Sequence, residues 1–198
     1  MNKTLKRFTI TLFSAILIFA LAGCASDDSE SSSASAADKA VLEEMNFART
    51  KPAVYISSRL TPLKSSYSGT KLSALNELIS EMQSMTALTA YQWGDGLYQA
   101  TDEWVQSQGS TTQTGHDSNI WKRIKKYCSY TSAGENLSYG YSSAKDIVIQ
   151  LLVDDGVEGR GHRKNILSTS FTYAGCSIGS HKQYRNMCCI DFAGGYSE

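Results

Sequence analysis

Three short stretches of the chain carry residue types that do chemistry. The longest runs Asp154-Asp155-Gly156-Val157-Glu158-Gly159-Arg160-Gly161-His162-Arg163-Lys164-Asn165-Ile166-Leu167. The other two are Gly115-His116-Asp117 and Gly134-Glu135-Asn136-Leu137. In the first, an apolar run from Ile147 to Val153 ends in two acids, a glycine-broken loop follows, and a histidine opens a helix-like turn. Loops held by a rigid scaffold are where chemistry concentrates. Neutral imidazoles and a carboxylate can hold a Zn²⁺ ion with water in the open position, and carboxylates behind the imidazoles can orient them. Without metal, a histidine beside a glutamate can still carry out acid–base work. The bland alternative is a network of polar side chains that ties loops to the fold. No Gly-x-Ser-x-Gly or His-Glu-x-x-His motif occurs, so no nucleophile is signalled.

The elements that must position these stretches follow from apolar periodicity. Val41, Leu42, Met45 and Ala48 predict a helix over 38–49, with Asp38 as N-cap or first-turn acid. Pro52 to Leu60 continues as a short helix. Leu72, Leu75, Ile79, Met82 and Met85 stripe a helix over 71–85 and belong to the core. Leu97, Ala100, Thr101, Trp104 and Val105 stripe another, and Ile147, Val148, Leu151 and Leu152 a third. Between them, 121–127 reads as a helix with solvated Lys122, Arg123, Lys125 and Lys126 and with Trp121 and Ile124 inward. Residues 133–140 read as a strand. Residues 171–179 and 184–192 form a closing hairpin, with His181 exposed and uninvolved at its tip. Helices come first and the best strands last, so the class is α+β.

Residues 1–23 read as a secretory signal. Lys3, Lys6 and Arg7 precede an apolar run that ends Leu21-Ala22-Gly23 before Cys24. That ending resembles the bacterial lipobox, which implies cleavage before Cys24, lipid on it, and export to a membrane surface. Ser-, Ala- and acid-rich 24–37 reads as a flexible tether, and 38–198 as one domain. Cleavage would leave 16 basic against 19 acidic residues, a balance that gives no reason to expect nucleic acid. Cys128, Cys176, Cys188 and Cys189 in an exported domain favour disulfides, with adjacent Cys188 and Cys189 facing opposite sides of a strand. Three pairings stay open.

The three stretches in this order resemble the CAP superfamily of cysteine-rich secretory, antigen 5 and pathogenesis-related proteins and their bacterial relatives. Asn46 and Arg49 on the first helix fit the resemblance, as does Cys189-Ile190-Asp191-Phe192 at the end. It covers residues 38–195 and implies a three-layer α-β-α sandwich around a mainly antiparallel sheet. It also implies a surface cleft where two histidines and two acids meet. His116, Glu135 and His162 match position by position. By register Asp154 stands where the family usually has a glutamate, with Asp155 and Glu158 as rivals. His116 and His162 are then the expected metal ligands, with Zn²⁺ or another divalent ion as cofactor. Glu135 and Asp154 would be catalytic only in an enzyme. Two functions follow. One is a lipid-anchored envelope protein that binds a metal, lipid, peptide or envelope component without turnover; the other is a metal-dependent hydrolase of peptidase type.

Overall fold

A computed structural model describes residues 33–198, so the signal, Cys24 and most of the tether lie outside the described residues. The first helix, α1 (Ala36–Thr50), starts within the stretch expected as tether. Ser35 caps it, accepting from Asp38 N–H while the Asp38 carboxylate accepts from Ser35 N–H at 2.8 Å. Asp38 is therefore the first-turn acid of a reciprocal cap. A short α2 (Pro52–Tyr55) runs through one π-type turn, Ile56–Leu60, and one 3-10 turn, Thr61–Ser65. Next come α3 (Gly69–Ser84), β1 (Gln92–Trp93), α4 (Asp95–Gly109), α5 (Ile120–Tyr127) and β2 (Ser132–Tyr139). The chain closes with α6 (Ala144–Val153), α7 (Gly161–Ile166), β3 (Tyr173–His181) and β4 (Arg185–Gly194).

The strands form one mixed sheet in the order β1-β3-β4-β2. β1 runs parallel to β3, while β4 runs antiparallel to both of its neighbours. β4 is buried along nearly its whole length because both of its faces are covered. Cys188, Ile190 and Phe192 point into the core under α1, α3 and α6, whereas Met187, Cys189 and Ala193 point towards α4 and α5. The result is an α-β-α sandwich, an α+β fold with helices on both faces of the sheet. Close approach of α4 to β3 depends on Gly175, where a Cβ would lie 2.3 Å from the Tyr98 main-chain nitrogen. Arg49 and Asn46 bind α1 to the rest. The Arg49 guanidinium donates to the carbonyls of Thr89, Ile166 and Ser168 and lies over the Tyr91 ring, while Asn46 both donates to and accepts from the Tyr91 main chain.

Several expectations are corrected. The disulfides are not formed: Cys128, Cys176, Cys188 and Cys189 are all free and buried. Cys188 and Cys189 do face opposite sides, but Cys189 and Cys128 belong to separate clusters. Cys176 shares a face with Cys188, yet the register sets Cys176 opposite Ile190 and Cys188 opposite Ile178. His181 is buried rather than exposed. Its Nε2 lies 2.9 Å from the Gln113 carbonyl and its ring packs on Tyr139 and Tyr184. On α5 the orientation differs from the expected one: Trp121 is 50% exposed while Arg123 is buried with Ile120 and Ile124.

Candidate functional site

Each acid of the site is presented by regular structure or at its end. Glu135 sits on β2 with its side chain on the α4–α5 side of the sheet, the face shared by Leu137 and Cys189. Asp154 is the C-cap of α6 in a left-handed conformation, φ 54° and ψ 39°. Its Oδ2 accepts from the main-chain N–H of His162 at 3.0 Å and of Arg163 at 3.3 Å, which fixes the start of α7. The histidines then meet the acids in pairs. His116 Nδ1 lies 2.6 Å from Glu135 Oε1, and His162 Nδ1 lies 2.7 Å from Asp154 Oδ1. Both acids are buried and both histidines partly exposed. Asp155 accepts instead from Thr70 Oγ1 at 3.3 Å, and Glu158 lies on a separate 3-10 turn.

Both imidazoles line one open cleft of about 420 Å³, with Thr114, Leu137, Tyr139, Gln150 and Tyr184. A carboxylate on each Nδ1 favours the tautomer with its proton there and leaves a lone pair on Nε2. Neither Nε2 has a partner among the described residues. No further histidine, cysteine or acid joins the two as a compact donor group: the one cluster of three such donors among the described residues is Glu135, Cys189 and Asp191.

That cluster was not expected from sequence. Arg123 forms a buried ion pair with Glu135, its Nη2 also lies 3.5 Å from Asp191 Oδ2, and its Nη1 lies 3.3 Å from Asp117. Cys189 Sγ donates to Glu135 Oε2 at 3.3 Å. Burial pushes Glu135 up, but His116, Arg123 and Cys189 outweigh it and hold the carboxyl below its usual range. Burial, and then the charge of Glu135, push Asp191 well above its usual range. One buried cation faces two buried acids, so Asp191 takes up a proton first. The sequence signal for Arg123 was ambiguous: Ile120 and Ile124 flank it on one helical face, but Trp121 with Ile124 offers a rival inward face.

The hydrogen bond to Glu135 raises His116 above its ordinary value of 6.5, against a smaller opposing effect of burial. The stabilisation from this pair is complete below the unfolded imidazole value and is lost as pH rises through the folded one. In Glu135→Gln the His116 midpoint, followed by NMR titration of the ring protons, is expected to fall back towards 6.5. An unchanged midpoint would show that the carboxylate does not hold the proton.

The description of the cysteine-rich secretory protein family (CAP) matches residues 42–192. The chain belongs to the CAP family. The match runs from α1 into β4 and includes His116, Glu135, Asp154 and His162. Eight chains of solved structures are similar to this CAP chain, three of them as follows. An outer surface protein of Borrelia burgdorferi is 17% identical with a TM-score of 0.47, over 63% of this chain and 92% of that one. A cysteine-rich secretory protein of Staphylococcus aureus is 15% identical with a TM-score of 0.43, over 62% of this chain and 38% of that one. An extracellular SCP-domain protein of Bacillus anthracis is 20% identical with a TM-score of 0.44, over 62% of this chain and 38% of that one. No curated protein matches in sequence.

Proposed function

We propose that this CAP protein is an exported, lipid-anchored binding protein that takes a divalent metal ion at His116 and His162 and engages an extracellular ligand there without turnover. The observation that carries this reading is the pairing of each imidazole Nδ1 with a buried carboxylate, at 2.6 and 2.7 Å, beside one cleft. Such pairs fix the ring and raise the basicity of the outward nitrogen, as in carboxylate–histidine–metal sites. The residues fit a divalent ion held by two protein donors, with its other positions left to water or ligand. Catalytic zinc sites use three protein ligands. The lack of a third compact donor among the described residues therefore supports binding over hydrolysis. Export and anchoring at Cys24 rest on the N-terminal sequence alone.

Calorimetry of the mature protein with Zn²⁺, beside His116→Ala and His162→Ala, tests the metal site. Both variants are expected to bind at least about tenfold more weakly while still unfolding in one cooperative urea transition, His116→Ala at a lower midpoint because buried Glu135 loses a partner. A folded wild type that binds no Zn²⁺ would overturn the metal reading. Zn²⁺-dependent cleavage of a casein or peptide pool, lost in Glu135→Gln, would replace binding by hydrolysis.

A further inference from the structure

β2 is an edge strand. It pairs with β4 and has no strand on its other side among the described residues. The phase of its main chain is fixed at two points. Gly140 N–H donates to the Asn186 carbonyl at 2.9 Å, in step with the pairing of Tyr139 and Met187. Residues bonded to the neighbouring strand alternate with residues whose main-chain groups turn away. Ser138 and Asn136 therefore bond to β4, while Glu135, Leu137 and Tyr139 present N–H and C=O outwards. The Glu135 carbonyl agrees, because it accepts from the Asn165 side chain at 3.3 Å. Asn165, on α7, also donates to Asn136 Oδ1 at 2.9 Å, and Asn136 donates to the His162 carbonyl at 3.0 Å.

The α7 segment thus occupies the first half of the edge and leaves the second half open. Beyond Glu135, the outward N–H and C=O of Leu137 and Tyr139 have no partner among the described residues. Leu137 is only 6% exposed, so its groups are not simply solvated in bulk water, while Tyr139 beside it is half-buried. Unpaired main-chain groups in a recess carry a free-energy cost that a partner removes. Leu137-Ser138-Tyr139 also carries no charge and no proline, the usual protections of an edge. The same two residues line the cleft that holds His116 and His162.

We propose that an extended peptide segment of a partner protein enters this cleft and adds as a strand to the outer edge of β2, pairing with the main chains of Leu137 and Tyr139 alongside the two imidazoles. The proposal rests on the cleft being the binding site, but not on a metal being there. Leu137 and Tyr139 offer donor and acceptor at a two-residue repeat, about 7 Å, which is the repeat of another strand. Sugars and acyl chains do not match that spacing. The edge is recessed between α6–α7 and the His116 loop, and the cleft of about 420 Å³ admits a short length of single chain rather than a second sheet. Tyr139 and the exposed Tyr184 give an aromatic wall, so apolar side chains on the guest are favoured on that side. Gln150 Oε1, buried without a partner on the same wall, supplies an acceptor for a guest donor.

The test uses the full-length protein with chelator present throughout. Random heptapeptides displayed on phage are selected on it, and the binders are remade as capped synthetic peptides. Each is made in two further forms, N-methylated at either odd or even positions. Strand addition requires that one methylated form binds at least about tenfold more weakly while the other keeps its affinity. Amide exchange at Leu137 and Tyr139 should slow in the complex, and exchange at Ser138, already in the ladder, should not change. The proposal is overturned if no peptide is selected, if both methylated forms bind like the parent, or if protection appears elsewhere. Slowed exchange of the same amides in concentrated protein without peptide would make a second copy the occupant and also overturn it. Because metal is excluded, a failed peptide result leaves the Zn²⁺ experiment standing, and the reverse holds too.

Discussion

Replacing Arg123 with methionine is expected to lower the free energy of unfolding by about 3–5 kcal/mol, the cost typical of removing one partner from a buried charge group. Arg123 is 4% exposed, and among the described residues its guanidinium is the one cation that meets both Glu135 and Asp191. Methionine keeps much of the side-chain volume, so the loss reports charge rather than a cavity. The two acids are left close together in the interior, and Asp191 already has one carboxylate oxygen without a partner. The measurement is the urea midpoint at constant slope. Adding Asp191→Asn in the same background should recover part of the loss, because a neutral amide replaces the acid that faces Glu135 once Arg123 is gone. The two substitutions should therefore be strongly non-additive. A cost below about 1 kcal/mol for Arg123→Met would place this ion group among surface pairs in energetic weight.

The second large effect is expected at Arg163. Its side chain is 1% exposed and donates to the carbonyls of Leu152 at 2.8 Å, Val153 at 3.1 Å and Ala74 at 3.1 Å. Leu152 and Val153 end α6, where carbonyls have no helical donor of their own. The guanidinium therefore caps α6 from the side and holds α3 against it. Arg163→Ala strips three buried carbonyls at about 1 kcal/mol each, a loss of about 3 kcal/mol in all. The ion pairs to Glu77 and Glu81 add little, because both acids are about half exposed. The same substitution loosens the segment from Asp154 to His162, so Zn²⁺ affinity should fall with stability. Arg163→Lys should recover little of either, since a single ammonium cannot span the carbonyls of two helices. Urea unfolding beside Zn²⁺ calorimetry on both variants checks this, and a lysine variant of wild-type stability would show that charge alone suffices.

Much of the fold was legible from local signals. The stripes of α1, α3, α4 and α6 and the closing hairpin are periodicities within single segments, and each element formed close to where its pattern placed it. Motif order pointed to His116, Glu135, Asp154 and His162, and the structure brings these into two adjacent histidine–acid pairs. The choice of Asp154 over Asp155 and Glu158 needed the left-handed turn at the end of α6, which aims one carboxylate back at α7 and the next away from it.

What the sequence determined by itself was what depends on near neighbours: the elements, their apolar faces, and the loops that carry histidine and acid. What the tertiary structure alone decided was everything set by how faces rotate and strands register. Arg123 rather than Trp121 points inward because packing of α5 fixes its rotation, and a basic helix with aromatics leaves that choice open. Asp191 comes beside Glu135 because the register of β2 against β4 makes them direct partners 56 positions apart. The register of β3 against β4 sets Cys176 and Cys188 each opposite an isoleucine, while counting cysteines suggests a bond. The order of the strands is also what leaves the outward side of Leu137 and Tyr139 unpaired. Side-chain period is a local property of the chain, but register and helix rotation are fixed only when distant surfaces compete to be buried.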